Sequence, residues 1–306
     1  MKILILGGTG FIGSKIYNLI KNKNFVRNLS LTSNIDLRVP DKLDKYLKNN
    51  YKIIINCAAH VGNLNYIGNK KADIMNDNLK IYLNLYSSIK KSKFKPYVIN
   101  LISNCVYPAN HKIQKESRIY DGNIHESVEP FGLPKLILLK LSSFYFKQYD
   151  IKSLNLVLPN AFGPGDHMDT NRSHALNGII VRMINAKKNK KNKFEIWGSG
   201  KPKREWIFAE DVSKLIVLLL RRKKLLNKFR VINVAQNKSY SINYLAMKVK
   251  KILNYKGQLT NNKNFPDGAL LKQLDNQLFN KEFKNFKFTN FDDALKRTVE
   301  FYKYTK

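Results

Sequence analysis

The chain has 306 residues, 43% of them hydrophobic, with 55 Lys and Arg against 22 Asp and Glu and a formal charge of +33. That length is too great for one small core and suits one large domain, or two sharing a seam. No run approaches the roughly 18 apolar residues of a membrane helix, and the apolar start at 3–6 ends in glycines, so it reads as a buried strand and not as a leader. Cys57 and Cys105 have no CxxC or Cys/His spacing, so no metal site is expected, and free thiols in a reducing cytoplasm are. An excess of positive charge can serve nucleic acid. Here the lysines are scattered: only 187–193 (KKNKKNK) and 221–224 (RRKK) are dense, and no aromatics interleave with them. They read as a solvated surface that would still attract a diphosphate.

Residues 2–6 form a first apolar run, followed by GGTGFIG (7–13) and a helical pattern over 14–23 with Ile16, Leu19 and Ile20 on one face. A second strand is expected at 29–32, then a polar link and a helix near 41–49. Strand 53–57, helix 72–92, strand 97–103, helix 130–149 and strand 154–158 continue the alternation. Such alternation predicts βαβ units with right-handed crossovers, and continuously apolar strands predict a parallel sheet covered on both faces. After 160 the pattern changes to a Gly-, Pro- and Asp-rich loop at 160–171, helix 178–188, strand 194–197, helix 211–222, strand 230–234 and helices 241–253 and 292–304. The expected architecture is α/β: a Rossmann-type doubly wound parallel sheet from 1–161 with 207–240 and 290–306. A smaller interleaved substrate unit is expected from 162–206 and 241–289.

GGTGFIG places Gly7, Gly10 and Gly13 between a strand and a helix. Glycines there allow a tight turn and close approach of a pyrophosphate, and the helix N-terminus supplies N–H donors. Thr9, Phe11 and Ile12 in this turn are candidate cofactor contacts. So are Ala58 and Ala59 after the third strand, and Pro159 and Asn160 after the fifth. An acid at the end of the second strand would favour NAD by bonding the ribose 2′-hydroxyl. That end reads LSLTSN, with Thr32 and Ser33 and no acid, which leans toward NADP(H). Asp36, slightly later, reads either as an adenine contact or as a helix-initiating loop residue.

Four further motifs stand in order: NCAAHVG (56–62), SNCVYP (103–108), EPFGLPK (129–135) and WGSGKPKREW (197–206). With LPNAFGPGDHMD (158–169), RSHALNGIIVR (172–182) and PDGALLKQLD (266–275), they cover nearly the whole chain. Their order and spacing resemble the GDP-L-fucose synthase (GDP-4-keto-6-deoxymannose 3,5-epimerase/4-reductase) family of extended short-chain dehydrogenases/reductases. The resemblance implies epimerisation next to a ketone, reduction of that ketone at C4 with NADPH, and a homodimer built through helices 72–92 and 130–149. It implies roles for Ser103, Cys105, Lys135 and His174. Epimerisation needs one group to remove a proton and another to deliver one on the opposite face, and a thiol and an imidazole can do both near neutral pH. Cys105 and His174 would form that pair. Ser103 would bond the developing oxyanion, and Lys135 the nicotinamide ribose. Taken alone, Cys105 would read as packing and His174 as a loop histidine. Cys57 reads as packing and His60 as a neighbour of the site, while His111, His125 and His167 have no spacing that argues for a role.

Phe131 departs from the pattern. The YxxxK motif of the short-chain family puts a tyrosine four residues before Lys135, and its phenol gives a proton to the ketone oxygen. Phenylalanine cannot. Either a phenylalanine has been substituted into a tyrosine enzyme, or another donor such as Ser103, Tyr107 or water acts, or the protein epimerises without reducing. Pro134 is compatible with a helix only in its first turn.

A diphosphate calls for fixed positive charge and a guanine for a flat apolar partner. Arg182, Trp197, Arg204 and Lys272 are the candidates for the GDP end, with Asn63 and Asn160 toward the sugar, a 6-deoxyhexose or a heptose. The alternative from another class is an inactive NADP-binding or nucleic-acid-binding scaffold.

Overall fold

A computed structural model describes residues 1–110, 112–169, 172–222, 226–265 and 267–305. His111, Asn171, Lys223, Lys224 and Pro266 lie outside the described residues. The first half runs β1 (Lys2–Leu6), α1 (Phe11–Ile20), β2 (Phe25–Leu29), α2 (Asp44–Leu47), β3 (Ile53–Asn56), α3 (Leu64–Asn69), α4 (Lys71–Lys91), β4 (Tyr97–Ser103), α5 (Glu129–Tyr149) and β5 (Ser153–Leu158). The second half runs β6 (Asn160–Phe162), α6 (Ala175–Lys188), β7 (Lys193–Trp197), β8 (Lys203–Phe208), α7 (Ala209–Arg221), β9 (Arg230–Asn233), β10 (Ser239–Ser241), α8 (Ile242–Leu253), β11 (Gln258–Asn262), β12 (Leu271–Lys272), α9 (Gln277–Glu282) and α10 (Phe291–Tyr304).

Six strands form one parallel sheet in the order β2-β1-β3-β4-β5-β9. Ile3 to Leu6 of β1 and Ile53 to Ile55 of β3 are buried, because helices cover both faces and every position of a strand then needs an apolar side chain. On one face Leu85, Ile89 and Leu138 of α4 and α5 pack on Leu4, Ile54 and Val98. On the other, Ile16 of α1 and Leu215 and Ile216 of α7 pack on Ile3, Ile5 and Ile55. Three amides break this apolar pattern in register across the middle strands. Asn56 Nδ2 donates to Asn100 Oδ1 at 3.0 Å, and Asn100 Nδ2 donates to Asn155 Oδ1 at 2.9 Å. A smaller sheet, β10-β8-β12 with β6 also on β8, and the pair β11-β7 flank a third core with α6 and α8.

Four expectations change. The second strand is Phe25–Leu29, not 29–32: β1 is matched residue for residue with 25–29, and 31–33 turn into a short 3-10 helix. β8, the central strand of the smaller sheet, stands where the sequence shows only the motif at 197–206, because its charged start KRE hides a buried end. β6 occupies the start of the expected loop at 160–171. Residues of the last helix do not join the first sheet: Ala294, Leu295, Val299 and Tyr302 of α10 sit in the third core with α6 and α8, while Phe279 and Phe283, expected with the smaller unit, pack in the core of the first sheet. An amphipathic stripe tells that a helix is covered, not which layer covers it.

Candidate active site

The dinucleotide turn is built by close approach. Gly7 has φ +74°, and a Cβ there would lie 2.8 Å from the Ala58 Cα, so only glycine lets the end of β1 meet the loop after β3. α1 begins after Gly10 with no side-chain cap and no acid in its first turn. Its first N–H groups are left for an anion, with the helix dipole behind them. These residues fit a dinucleotide pyrophosphate. Beyond β2, Thr32 Oγ1 donates to Thr9 Oγ1 at 3.0 Å and lies 2.9 Å from Ser30 Oγ, so hydroxyls stand where an NAD-type carboxylate would. Asp36 is turned into Arg38, whose Nε and Nη2 donate to its two oxygens at 2.9 and 2.8 Å. That bonding holds its pKa below the usual carboxylate range.

Ser103 closes β4, and its Oγ accepts the Cys105 N–H at 3.2 Å, starting the turn that presents Asn104 and Cys105 to a cavity. α5 lies directly against this turn. A Cβ on Gly132 would sit 2.5 Å from the Cys105 carbonyl oxygen, so the glycine of EPFGLPK is a packing requirement. Lys135 is 5% exposed, and its Nζ donates to the Leu101 carbonyl at 3.0 Å. Burial pushes the ammonium down to about 8. The same Nζ lies 5.3 Å from the centroid of the Phe131 ring. Phe131 is buried with Ile67 and Ile74, and Tyr66 and Cys105 pack against that cluster. α5 starts at Glu129, so Pro134 falls in the second turn and not, as expected, in the first. The missing N–H leaves the Pro130 carbonyl without its helical donor.

Asn104, Cys105, Asn63, Asn160, Arg182, Trp197, Arg204 and Lys272 all line this cavity. Lys272 Nζ stands 3.8 Å from Cys105 Sγ. β12 pairs with β8 so that Lys272 lies beside Arg204. Arg204 Nη2 donates to the Asp267 carbonyl at 3.2 Å, and burial lowers its pKa. The Arg182 guanidinium lies 4.0 Å from the Trp197 ring centroid, and burial pushes its pKa down to about 10. Phe265, which sequence reasoning missed, stacks on Trp197 at 4.7 Å between centroids. Asn63 caps α3, accepting from Tyr66 N at 2.9 Å, and Asn160 donates to the Glu205 carbonyl at 3.2 Å.

His174 is placed differently from Cys105. Ser173 and Ala175 on either side line the cavity. The imidazole is turned to Asp166, with Nδ1 3.1 Å from Oδ2, and to the Phe11 ring at 5.6 Å. Asp166 Oδ2 also accepts from the His174 N–H at 2.8 Å and from Asn177 Nδ2 at 2.7 Å. Burial works against a charged imidazole here, but the Asp166 carboxylate outweighs it and raises the pKa. Tyr107 is removed from the candidate proton donors. Its buried phenol donates to Asn233 Oδ1 at 2.6 Å, because a hydroxyl this deep needs a partner. Cys57 packs on the second core cluster, and burial pushes its thiol up to about 12. His125 accepts from Ser127 N in a local turn. Glu205, fully buried on β8, was not singled out by any motif. Its Oε1 takes the Gln236 and Asn237 N–H groups at 2.6 and 2.9 Å, and its Oε2 takes Leu274 N at 2.9 Å, tying three segments around the cavity.

Among the described residues no helix is long and apolar enough to cross a membrane. Residues 3–235 match the NAD dependent epimerase/dehydratase family. The chain is 27% identical over 309 residues to GDP-L-colitose synthase of Yersinia pseudotuberculosis, covering 99% of this chain and 98% of that protein. It is 28% identical to GDP-L-fucose synthase of Sinorhizobium fredii, covering 90% and 87%. In fold it matches a GDP-6-OMe-4-keto-L-xylo-heptose reductase from C. jejuni, with TM-score 0.88, 23% identity and 99% and 97% of the two chains covered. It also matches a GDP-L-fucose synthetase from Naegleria fowleri, with TM-score 0.84, 24% identity and 98% and 93% covered. A glycine turn pressed on Ala58, an uncapped helix behind it and a match across three quarters of the sequence agree: the chain is an enzyme of the NAD dependent epimerase/dehydratase family.

Proposed function

We propose that the chain is an NADPH-dependent epimerase and C4 reductase acting on a GDP-linked 4-keto-sugar, a 6-deoxyhexose or a heptose. The observation that carries this reading is one cavity lined by Cys105, with Lys272 Nζ 3.8 Å from its sulfur, and by Arg204 and Arg182. Its lining offers a thiol to a sugar and guanidinium groups to a diphosphate. End-to-end similarity to GDP-L-colitose synthase supports the substrate class. The hydroxyls of Thr9, Thr32 and Ser30 favour NADP over NAD, in line with fold neighbours described as bound to NADP. The bound cofactor supplies the hydride.

The chain's own residues position and move protons. Ser103 bonds the ketone oxygen, which acidifies the carbons beside it. Cys105 removes a proton from one of these carbons, with the Lys272 charge against its sulfur. His174, whose pKa Asp166 raises, delivers a proton to the opposite face. Lys135 holds positive charge under the reacting centre. Leu83 on α4 and Phe144 on α5 are exposed, which supports pairing of two copies through these helices. Phe131 favours a second reading, epimerisation without reduction.

NADPH oxidation with GDP-4-keto-6-deoxymannose, measured on this chain and on Phe131→Tyr, tests the first reading. Turnover by either form supports a reductase. Deuterium entry from heavy water beside the ketone, with no NADPH oxidation in either, favours the second. Neither signal would reject both.

A further inference from the structure

A phenol stands beside the apolar site that lacks one. Tyr66, in the first turn of α3, packs against the cluster of Phe131, Ile67 and Ile74, on which Cys105 also packs. Asn63 and Leu64, at the start of the same helix, line the cavity. The Tyr66 hydroxyl lies 2.9 Å from His60 Nε2. His60 Nδ1 lies 2.9 Å from Asp77 Oδ2, which also accepts from Arg38 Nη1 at 2.9 Å. Asn78, fully buried on α4, clamps both backbone groups of His60, accepting from its N–H at 3.0 Å and donating to its carbonyl at 2.9 Å. A rigidly held imidazole with a carboxylate on one nitrogen and a phenol on the other is the arrangement that returns a proton to a phenol that has lost one. Tyr66, His60, Asp77 and Asn78 have no place in the proposed epimerisation.

We infer that Tyr66 is the proton donor to the ketone oxygen in this chain, replacing the phenol absent at Phe131. The inference rests on the reductase reading above. As a hydride from a reduced nicotinamide reaches the carbonyl carbon, the C=O π pair moves to oxygen and takes the Tyr66 proton, giving the alcohol. The phenolate regains a proton from solvent through His60, whose ring Asp77 orients. One hydride, carrying both electrons, and one proton enter the sugar, and the oxidised nicotinamide leaves. His60 and Asp77 are positioning residues that act only through the phenol.

Tyr66→Phe removes one oxygen and keeps the ring in the cluster. NADPH oxidation should fall about a hundred- to ten-thousand-fold, the usual worth of a general acid. Affinity for GDP should be unchanged. Affinity for the GDP-4-keto-sugar in the presence of NADP+ should fall about fivefold, through one lost hydrogen bond to the ketone. Deuterium exchange beside the ketone should continue. Phe131→Tyr should rescue turnover in the Tyr66→Phe background, and His60→Asn should slow the parent chain but not Tyr66→Phe, which a merely structural histidine would not do. Tyr66→Phe oxidising NADPH as fast as the parent overturns this inference alone. A parent chain that oxidises no NADPH with any GDP-4-keto-sugar overturns the reductase reading and this inference with it.

Discussion

Replacing Asp166 by asparagine removes a charge and almost no volume, so its effect can be worked from the geometry. The Asp166 side chain is fully buried. Burial alone would raise its pKa, but the His174 ring and charge, Asn177 and the His174 N–H overcome it and bring it down to about 2 from an ordinary 3.8. That gap is worth about 2 to 3 kcal/mol of stability at pH 7. The sign follows from the depressed pKa. The contribution is complete above pH 4 and is lost as pH falls through 2, with about half gone by pH 3. Asp166→Asn should therefore unfold at lower urea, with Tm lower by about 4 °C for a chain of this size. The difference from the parent should hold from pH 7 down to about pH 4 and narrow as pH falls through 3. His174 would lose the carboxylate that raises its pKa, and deuterium exchange beside the ketone should slow by about tenfold or more. Urea titrations followed by tryptophan fluorescence across that pH range give the first quantity, and NMR in heavy water the second. Equal stability at pH 7, or a difference that does not narrow with acid, would refute the electrostatic reasoning.

Arg204→Met should weaken GDP binding by about ten- to hundred-fold, the loss of charge-assisted hydrogen bonds to a diphosphate; calorimetry showing unchanged affinity would remove Arg204 from the diphosphate site. Glu205→Gln turns the acceptor of Leu274 N–H, now at 2.9 Å, into a donor. It should cost about 1–3 kcal/mol in urea unfolding and weaken nucleotide-sugar binding, because the same segment carries Lys272; a variant as stable as the parent would show that the tether is dispensable.

Most of the first sheet was legible in the sequence, because strands such as 53–56 and 97–103 are buried on both faces and read as apolar runs, each with only one amide in it. Polar or short elements hid. β2 alternates and begins with exposed Phe25, and β8 begins with three charged residues. Of the candidate site, the cavity brings together Cys105, Asn160, Arg182, Trp197, Arg204 and Lys272. Such residues are visible as motifs because each carries its chemistry alone. What stayed hidden depends on pairing across distant segments. Tyr66 and His60 are six residues apart, but their partner Asp77 lies on another helix. Asp166 and Glu205 act by accepting N–H groups that no side-chain pattern announces. The layer that α10 covers is a tertiary choice.

The amides of Asn56, Asn100 and Asn155 have a consequence for how the chain finds its fold. Strands made of Ile, Leu and Val are nearly interchangeable as neighbours. A shift of β4 by two residues would keep every side chain on its own face and lose little apolar contact. With the amides present, that shift sets Asn56 opposite Val98 or Ile102 and strips Asn155 of its donor. Each stranded amide then costs about 1–3 kcal/mol, a penalty that oily strands cannot impose on one another. Three polar side chains thus act as a proofreading device. They contribute little to the strength of the native sheet, but they set the energy gap between the correct alignment and its near copies.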